Sequence, residues 1–446
     1  MKRVLLINPG WGGLVSRGGR RYNRAWPPLS LLNAAAMFEQ AGHEVSLIDG
    51  RAGSVSLAAL QKAAAEADLI LITSSPLDRW QCPNLEIADF HKLVRALNHP
   101  QVFITGTHGT IYPEKTMTAT AAAGVIRGEP EAAVKALAEG ADPATIPGLT
   151  YAPDGRVTHN PVGPDLDLAD LPLPAYHLID PKNYYYEVLG PRLAILEGSR
   201  GCPYNCRFCL KIMYGRSLRM KPPAQLAAEI DHVAGCLGFR SIYFMDLEFT
   251  LNRDNVAAIC KHIIQSGHRF VWTCQTRADA VDADLLALMK RAGCRLIHFG
   301  VETGSPRVMD LIRKNISLDQ IIRGVSLTRA AGIDAACFFL FGFPGETDAD
   351  MRQTIKFAVR LNPTYASFHA ATPYPGTPFH HTVGHLYPED FPECFYQDHD
   401  PDQLERMTNL AYRRFYFRPE YLISLLAPRR IPALWRQAKL FLSFIS

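Results

Sequence analysis

Residues Gly198–Leu210 read GSRGCPYNCRFCL and place thiols at Cys202, Cys206 and Cys209. Thiolates bind soft metals and iron–sulfur clusters, and three of them in eight residues can hold three corners of a [4Fe–4S] cube while the fourth iron keeps no protein ligand. That open iron is a place for chemistry. Structural zinc competes for such a run, but it usually takes four ligands in two knuckles, and the chain has no second C-x2-C pair. Cys82, Cys236, Cys260, Cys274, Cys294, Cys337 and Cys394 are scattered singly through apolar segments, which reads as small core residues.

The cysteine run directly follows an apolar strand pattern at Leu193–Gly198, the first of a series continuing at Ser241–Asp246, Phe270–Thr276, Leu296–Thr303, Ala335–Gly342 and Ala366–Pro373. Helical patterns such as Leu226–Cys236 and Ala283–Ala292 bridge them. Six β/α units of this kind predict a partial (β/α)6 barrel with its active site at the C-terminal strand ends. Upstream, short runs at Arg3–Asn8, Glu44–Asp49, Leu69–Thr73, Gln101–Thr105 and Gly124–Arg127 alternate with Ala-rich helical patterns such as Leu29–Gln40 and Leu57–Glu66. That alternation predicts a doubly wound α/β sheet. A stretch dense in Pro, Asp and Gly separates the two series and reads as a connector. The expected organisation is residues 1–141 as the first α/β domain, 142–190 as linker, 191–385 as barrel and 386–446 as a helical extension.

At 446 residues the chain exceeds the size at which single cores stop growing, about 250–300 residues. A net charge of +4 with 20% charged residues gives no electrostatic footprint for nucleic acid. The first apolar run breaks at Asn8-Pro-Gly, unlike a signal peptide or membrane span. Ten cysteines in such a chain read as reduced thiols and metal ligands, placing the protein in the cytoplasm. The tail interleaves Arg413, Arg414, Arg418, Arg429, Arg430, Arg436 and Lys439 with Phe415, Phe417, Leu425, Trp435 and Phe441. That pattern suits peripheral contact with the inner membrane face, or helices packed on the barrel with a solvated basic side.

The cysteine spacing on the loop after the first barrel strand resembles the signature of the radical S-adenosylmethionine (radical SAM) superfamily. The resemblance implies that Cys202, Cys206 and Cys209 hold a [4Fe–4S] cluster and that S-adenosylmethionine chelates the fourth iron. One-electron reduction then yields a 5′-deoxyadenosyl radical, and Phe208 occupies the family's aromatic position. Met245-Asp-Leu-Glu248 stands where the family has a glycine-glycine-glutamate segment, so Asp246 and Glu248 are expected at the cofactor's amino group. Gln275 and Arg277 after the third strand, and Glu302 ending the fourth, resemble the carboxylate- and ribose-contacting positions. A carboxylate such as Glu302 can accept from both ribose hydroxyls at once. Phe339–Thr347, containing Gly-Phe-Pro-Gly, resembles the adenine shelf.

Pro27-Pro-Leu29, Ala41–Val45, Ile104–Thr110 and Ile126–Pro130 resemble the cobalamin-binding domain that precedes the barrel in one branch of the superfamily. By the open-sheet rule a ligand lies beyond the carboxyl ends of the strands. Asn8–Gly13, Thr73–Trp80, Gly106–Thr110 and Gly128–Glu129 would then line one crevice facing the barrel mouth, with Ser74, Gly106, Thr107, Gly128 and Glu129 as cobalamin contacts. The branch's second glycine is Thr107 here, the Asp-x-His-x-x-Gly motif of other cobalamin enzymes is absent, as in many members of this branch, and Asp78-Arg-Trp80 adds bulk. His108 reads as a hydrogen-bonded structural residue rather than a cobalt ligand.

These features lead to an enzyme that abstracts hydrogen from an unactivated carbon and transfers a methyl group from cobalamin to a small-molecule or lipid/isoprenoid intermediate. A flavodoxin- or ferredoxin-type protein would supply electrons. The competing readings are a cobalamin-free radical lyase or dehydratase on a sugar-like diol, a radical cyclase, and an iron–sulfur regulatory protein. Glu197, Tyr243, Gln275, His298, His369 and Tyr374 are polar groups near strand ends available for substrate; no catalytic residue is singled out.

Overall fold

A computed structural model describes residues 1–10, 25–75, 87–386 and 399–425. Met1–Tyr185 and Arg240–Ser446 belong to two different compact units, and the segment between them is divided between the two. Asp78-Arg-Trp80, Cys82, Cys394 and the tail beyond Leu425 lie outside the described residues.

In the first unit, β1 (Arg3–Asn8), β2 (Glu44–Asp49), β3 (Leu69–Thr73), β4 (Val102–Thr105) and β5 (Gly124–Ile126) pair in parallel, in the order β2-β1-β3-β4-β5. Alternate residues of a strand face opposite sides, and the packing shows it. Val4, Leu6 and Leu69 join Leu31, Ala35, Phe38 and Val134 in one cluster. Leu5, Ile7 and Ile70 join Leu60, Phe90 and Val94 in the other. Helices therefore cover both faces, as the continuous apolar strands require.

Part of the stretch read as a connector is structured. β6 (Leu149–Tyr151) and β7 (Thr158–His159) extend the sheet antiparallel beyond β5. Their turn contains Asp154-Gly155, with Gly155 at φ +76°, a conformation glycine adopts without steric cost. Strand pairs this short carry too little alternation to stand out from the Pro- and Gly-rich background.

The second sheet is wholly parallel within β9–β13 and runs in sequence order: β8 (Leu193–Leu196), β9 (Ser241–Phe244), β10 (Val271–Thr276), β11 (Cys294–Glu302), β12 (Asp334–Phe341) and β13 (Tyr365–Ala370). It is the partial barrel the sequence pattern predicts. Such a barrel leaves β13 as an open edge, whose unpaired backbone groups invite other chains. Helix Pro401–Tyr416 covers it, burying Leu404, Met407, Ala411 and Phe415. The Tyr416 hydroxyl accepts from the Ala366 N–H (3.0 Å) and donates to the Ala366 carbonyl (2.8 Å). Tyr412, one turn earlier, accepts from the Phe368 N–H at 3.2 Å. Two phenols thus stand in for the missing neighbour strand.

Cys260, Cys274, Cys294 and Cys337 are buried, as small core residues should be. Cys236 is exposed, at the end of a helical turn after Ile230, and departs from that expectation. No helix among the described residues is long and apolar enough to cross a membrane. Replacing Tyr416 with Phe removes both bonds to Ala366 and should cost about 1 kcal/mol of local protection. Hydrogen exchange at the Ala366 amide should accelerate accordingly, while the Leu296 amide in mid-sheet stays as in wild type.

Candidate functional site

The loop that carries the three thiols has little regular structure, so other groups must hold it in place. Asp246, just past β9, accepts from the Gly198 N–H (3.0 Å) and from the Ser199 hydroxyl (2.6 Å). Glu197 and Arg200 form a wholly buried ion pair at 2.9 Å. The Tyr204 ring lies under the Arg277 guanidinium, 4.0 Å from its centroid. The Arg207 N–H donates to the Ile312 carbonyl at 3.0 Å, and Phe208 rests against Phe343 with centroids 5.5 Å apart. Loop positions from Gly198 to Phe208 are therefore fixed from several different strand ends.

Cys202 is buried, Cys206 and Cys209 are half-buried, and none of the three is in a disulfide among the described residues. No three His, Cys, Asp or Glu side chains among the described residues close on a single metal ion. A cube of four irons asks for a different donor set, thiolates that each bind a separate iron, and three thiols on one braced loop fit it.

The residues expected around S-adenosylmethionine divide into two groups. Asp246 and Arg277 are engaged in holding loops. Arg277 donates from Nε and Nη2 to Asp279 (both 2.9 Å), from Nη1 to the Lys314 carbonyl (2.7 Å) and from Nη2 to the Asn315 carbonyl (2.9 Å). Glu248, Gln275 and Glu302 are the second group. Glu248 Oε2 accepts from the Arg277 backbone N–H at 2.8 Å. Burial pushes its carboxyl up to about 7, against the pull of Lys314. Gln275 is half-buried one residue before the end of β10.

Glu302 ends β11 in the left-handed region, at φ +67°, which non-glycine residues enter only at a cost. Its Oε1 accepts from Lys314 Nζ at 2.9 Å, both side chains being nearly buried. Gly300 makes room for the pair, because a Cβ there would sit 2.8 Å from that Nζ. Burial opposes the charge on Lys314, but Glu302, then Cys206 and Glu248, hold its pKa above the usual lysine range. Lys314 escaped the sequence reading, since nothing in Arg313-Lys-Asn315 distinguishes it from a solvated basic turn.

Phe343 stands in Gly342-Phe-Pro-Gly-Glu346, a turn organised by its own glutamate. Glu346 Oε2 accepts from the N–H groups of Gly342 (2.7 Å) and Phe343 (3.1 Å), while Oε1 has no hydrogen-bond partner among the described residues. Burial pushes this carboxyl up to about 7. Of the polar groups proposed for substrate, Tyr243 and His298 are buried together, rings 5.5 Å apart and Tyr186 Oη 3.3 Å from His298 Nε2. His369 bonds the Ser367 hydroxyl at 2.6 Å and is held below the usual histidine pKa by the protein around it.

The five positions expected to contact cobalamin meet at the ends of β3, β4 and β5. Ser74 Oγ donates to the Thr105 carbonyl (2.8 Å) and accepts from the Gly109 N–H (3.2 Å). Ser75 Oγ accepts from the N–H of Thr107 at 2.7 Å. Gly106 turns the chain at φ +106°, and the Gly128 N–H donates to Thr110 Oγ1 at 3.0 Å. The Glu129 carboxylate pairs with Arg219. Among the described residues, the buried hydroxyls of Thr105 and Thr107 have no hydrogen-bond partner. Orphaned hydroxyls at the carboxyl end of an open sheet are what a polar ligand there would satisfy, so the residues fit cobalamin. His108 is buried, its ring 5.8 Å from His91 and 5.9 Å from Tyr112.

The radical SAM superfamily matches residues 196–358, and the B12 binding domain matches residues 19–138. An uncharacterized methyltransferase of Pyrococcus horikoshii is 31% identical over 443 residues, spanning 95% of this chain and 94% of the relative. The anaerobic magnesium-protoporphyrin IX monomethyl ester cyclase of Rubrivivax gelatinosus is 26% identical, over 94% of this chain and 78% of its own. The solved structure of the cobalamin-dependent S-adenosylmethionine radical enzyme OxsB superposes with a TM-score of 0.74 over 99% of this chain and 70% of that one. At 18% identity that last likeness speaks to fold.

Glu346 supplies a test of the turn behind Phe343. A carboxyl whose folded pKa is raised binds more protons folded than unfolded, so its contribution to stability declines as pH rises from about 4.5 toward about 7. Glu346→Gln should flatten that part of the urea stability profile. An unchanged slope would show that the group does not titrate in this range.

Proposed function

Because this chain belongs to the radical SAM superfamily, in the branch with an N-terminal B12-binding domain, we propose that it methylates an unactivated carbon of a small-molecule or lipid/isoprenoid intermediate after hydrogen abstraction. The family's cofactors are a [4Fe–4S] cluster, S-adenosylmethionine and cobalamin; bound, they supply the reductive cleavage and the methyl group. The protein's part is to bind, orient and exclude competing hydrogen donors. In this reading Cys202, Cys206 and Cys209 hold the cluster. Glu248, Gln275, Glu302 and Phe208 contact S-adenosylmethionine, and Asp246 and Arg277 keep the thiol loop in register. Ser74, Gly106, Thr107, Gly128 and Glu129 receive cobalamin.

Two observations, one in each unit, carry the proposal: a braced three-thiol loop, and threonine hydroxyls at a sheet end with no hydrogen-bond partner among the described residues. The near full-length relative named a methyltransferase supports it. A cyclase on a large ring substrate is the second reading, favoured by the printed name of the Rubrivivax relative. The match to a B12 binding domain weighs against the cobalamin-free lyase.

Protein reconstituted anaerobically with iron, sulfide and hydroxocobalamin should keep a corrin absorbance through desalting. With S-adenosylmethionine, strong reductant and its substrate it should release 5′-deoxyadenosine and S-adenosylhomocysteine together. Cys206→Ala should lose the iron–sulfur absorbance and the 5′-deoxyadenosine. Turnover that yields 5′-deoxyadenosine without matching S-adenosylhomocysteine would replace methylation with cyclisation or elimination.

A flavodoxin- or ferredoxin-type reductant and peripheral membrane contact belong to the same proposal. Phe417 and Ile423 are 67% and 68% exposed, and Phe417 shares a surface pocket with Arg413 and Arg414, a basic and apolar mixture suited to anionic lipid. The double change Phe417→Ser and Ile423→Ser, which spares the edge cover, should abolish flotation with vesicles rich in anionic phospholipid. Unchanged flotation of the variant, or none by wild type, would remove the membrane from the proposal.

A further inference from the structure

We propose that the Lys314 ammonium sets the reduction potential of the cluster held by Cys202, Cys206 and Cys209. The inference rests on the reading that those thiols carry the cluster, and it adds a role for a residue the chemistry above leaves unused.

Lys314 is locked at both ends. Its N–H donates to the Met309 carbonyl at 3.3 Å, its carbonyl accepts from Arg277 at 2.7 Å, and it stands between Arg313 and Asn315, both at φ +52°. The side chain runs into the interior and ends 2.9 Å from Glu302 and 5.9 Å from the centre of the Phe208 ring. Phe208 lies between Cys206 and Cys209 in the chain, so the ammonium is planted beside the thiol loop. The missing Cβ of Gly300 is part of the slot that receives it.

A lysine is rarely buried this far, and removing an ammonium from water costs several kcal/mol. Glu302 offsets part of that cost. With Phe208 between two of the thiols in the chain and its ring centre 5.9 Å from the ammonium, any charge change on the thiol loop is felt at that nitrogen and the reverse, since the Coulomb interaction acts equally on both partners. Reduction adds one electron to the cluster, taken from a low-potential donor, and a fixed positive charge nearby stabilises the reduced state. Lys314 therefore raises the potential, and the Glu302 carboxylate lowers it. An ion pair that served folding alone would make no such signed prediction.

The test is a dithionite titration of the reconstituted full-length protein without S-adenosylmethionine, followed by absorbance and by the spin signal of the reduced cluster. In Lys314→Gln the reduced-to-oxidised ratio at a fixed potential should fall about tenfold, equal to a 59 mV lower midpoint for a one-electron couple. Glu302→Gln should shift the midpoint upward, the double variant should return near wild type, and Lys314→Arg should keep the wild-type value. An unchanged midpoint in Lys314→Gln at wild-type iron content overturns the proposal. Should Lys314→Gln take up no iron, Glu302→Gln decides, and a midpoint that does not rise overturns it. If wild-type protein assembles no cluster, the underlying reading fails and takes this inference with it. If it cleaves S-adenosylmethionine normally while the midpoints do not move, only this inference falls.

Discussion

The architecture depends on a loop that cannot hold its own shape. Between Gly198 and Leu210 the chain forms almost no ladder of backbone bonds, yet the proposed cluster asks for three sulfurs presented as one rigid face. The restraint comes from buried charge. Asp246 secures Gly198 and Ser199, Arg200 answers Glu197, and Arg277 sits against Tyr204 while gripping the turn at Lys314 and Asn315. Breaking one partner of such a pair leaves an uncompensated charge in the interior, which is costly by about 3–5 kcal/mol. The barrel strands end where they do so that these groups can converge.

Much of the scaffold was legible in the chain because buried parallel strands are unbroken apolar runs. Arg3–Asn8, Glu44–Asp49 and Leu69–Thr73 appear with the bounds read from the pattern, and the barrel strands shift by up to three residues at their ends. The hairpin of β6 and β7 was not legible, since two- and three-residue strands carry no period. The thiols were found by spacing. The partners of the charged residues were not, because an Asp that staples a backbone and an Asp that awaits a ligand look alike in sequence. Asp246 and Arg277 show this: their types suit a cofactor's ammonium and carboxylate, and the fold uses both to restrain loops. Lys314 shows the reverse, a basic turn residue drawn inside by Glu302.

Glycine does specific work at the site. At Gly300 the absent side chain leaves the slot in which Lys314 and Glu302 meet, and at Gly106 the backbone takes a turn that Cβ would oppose. Glu302 keeps a left-handed backbone without that freedom. Strain held at a strand end, next to a buried ion pair, is the usual mark of a position selected for what its side chain must reach.

The tyrosine cover over β13 has an architectural consequence. A sheet that stops at six strands is ordinarily sticky along its flank, and closing it with further strands would narrow the mouth. Two phenol groups spaced one helical turn apart finish the flank with side chains instead of backbone. The half-barrel can then stay open at this side without offering a bare edge to other chains, and the helix bearing those phenols is tied to the sheet and cannot drift as a dispensable appendage.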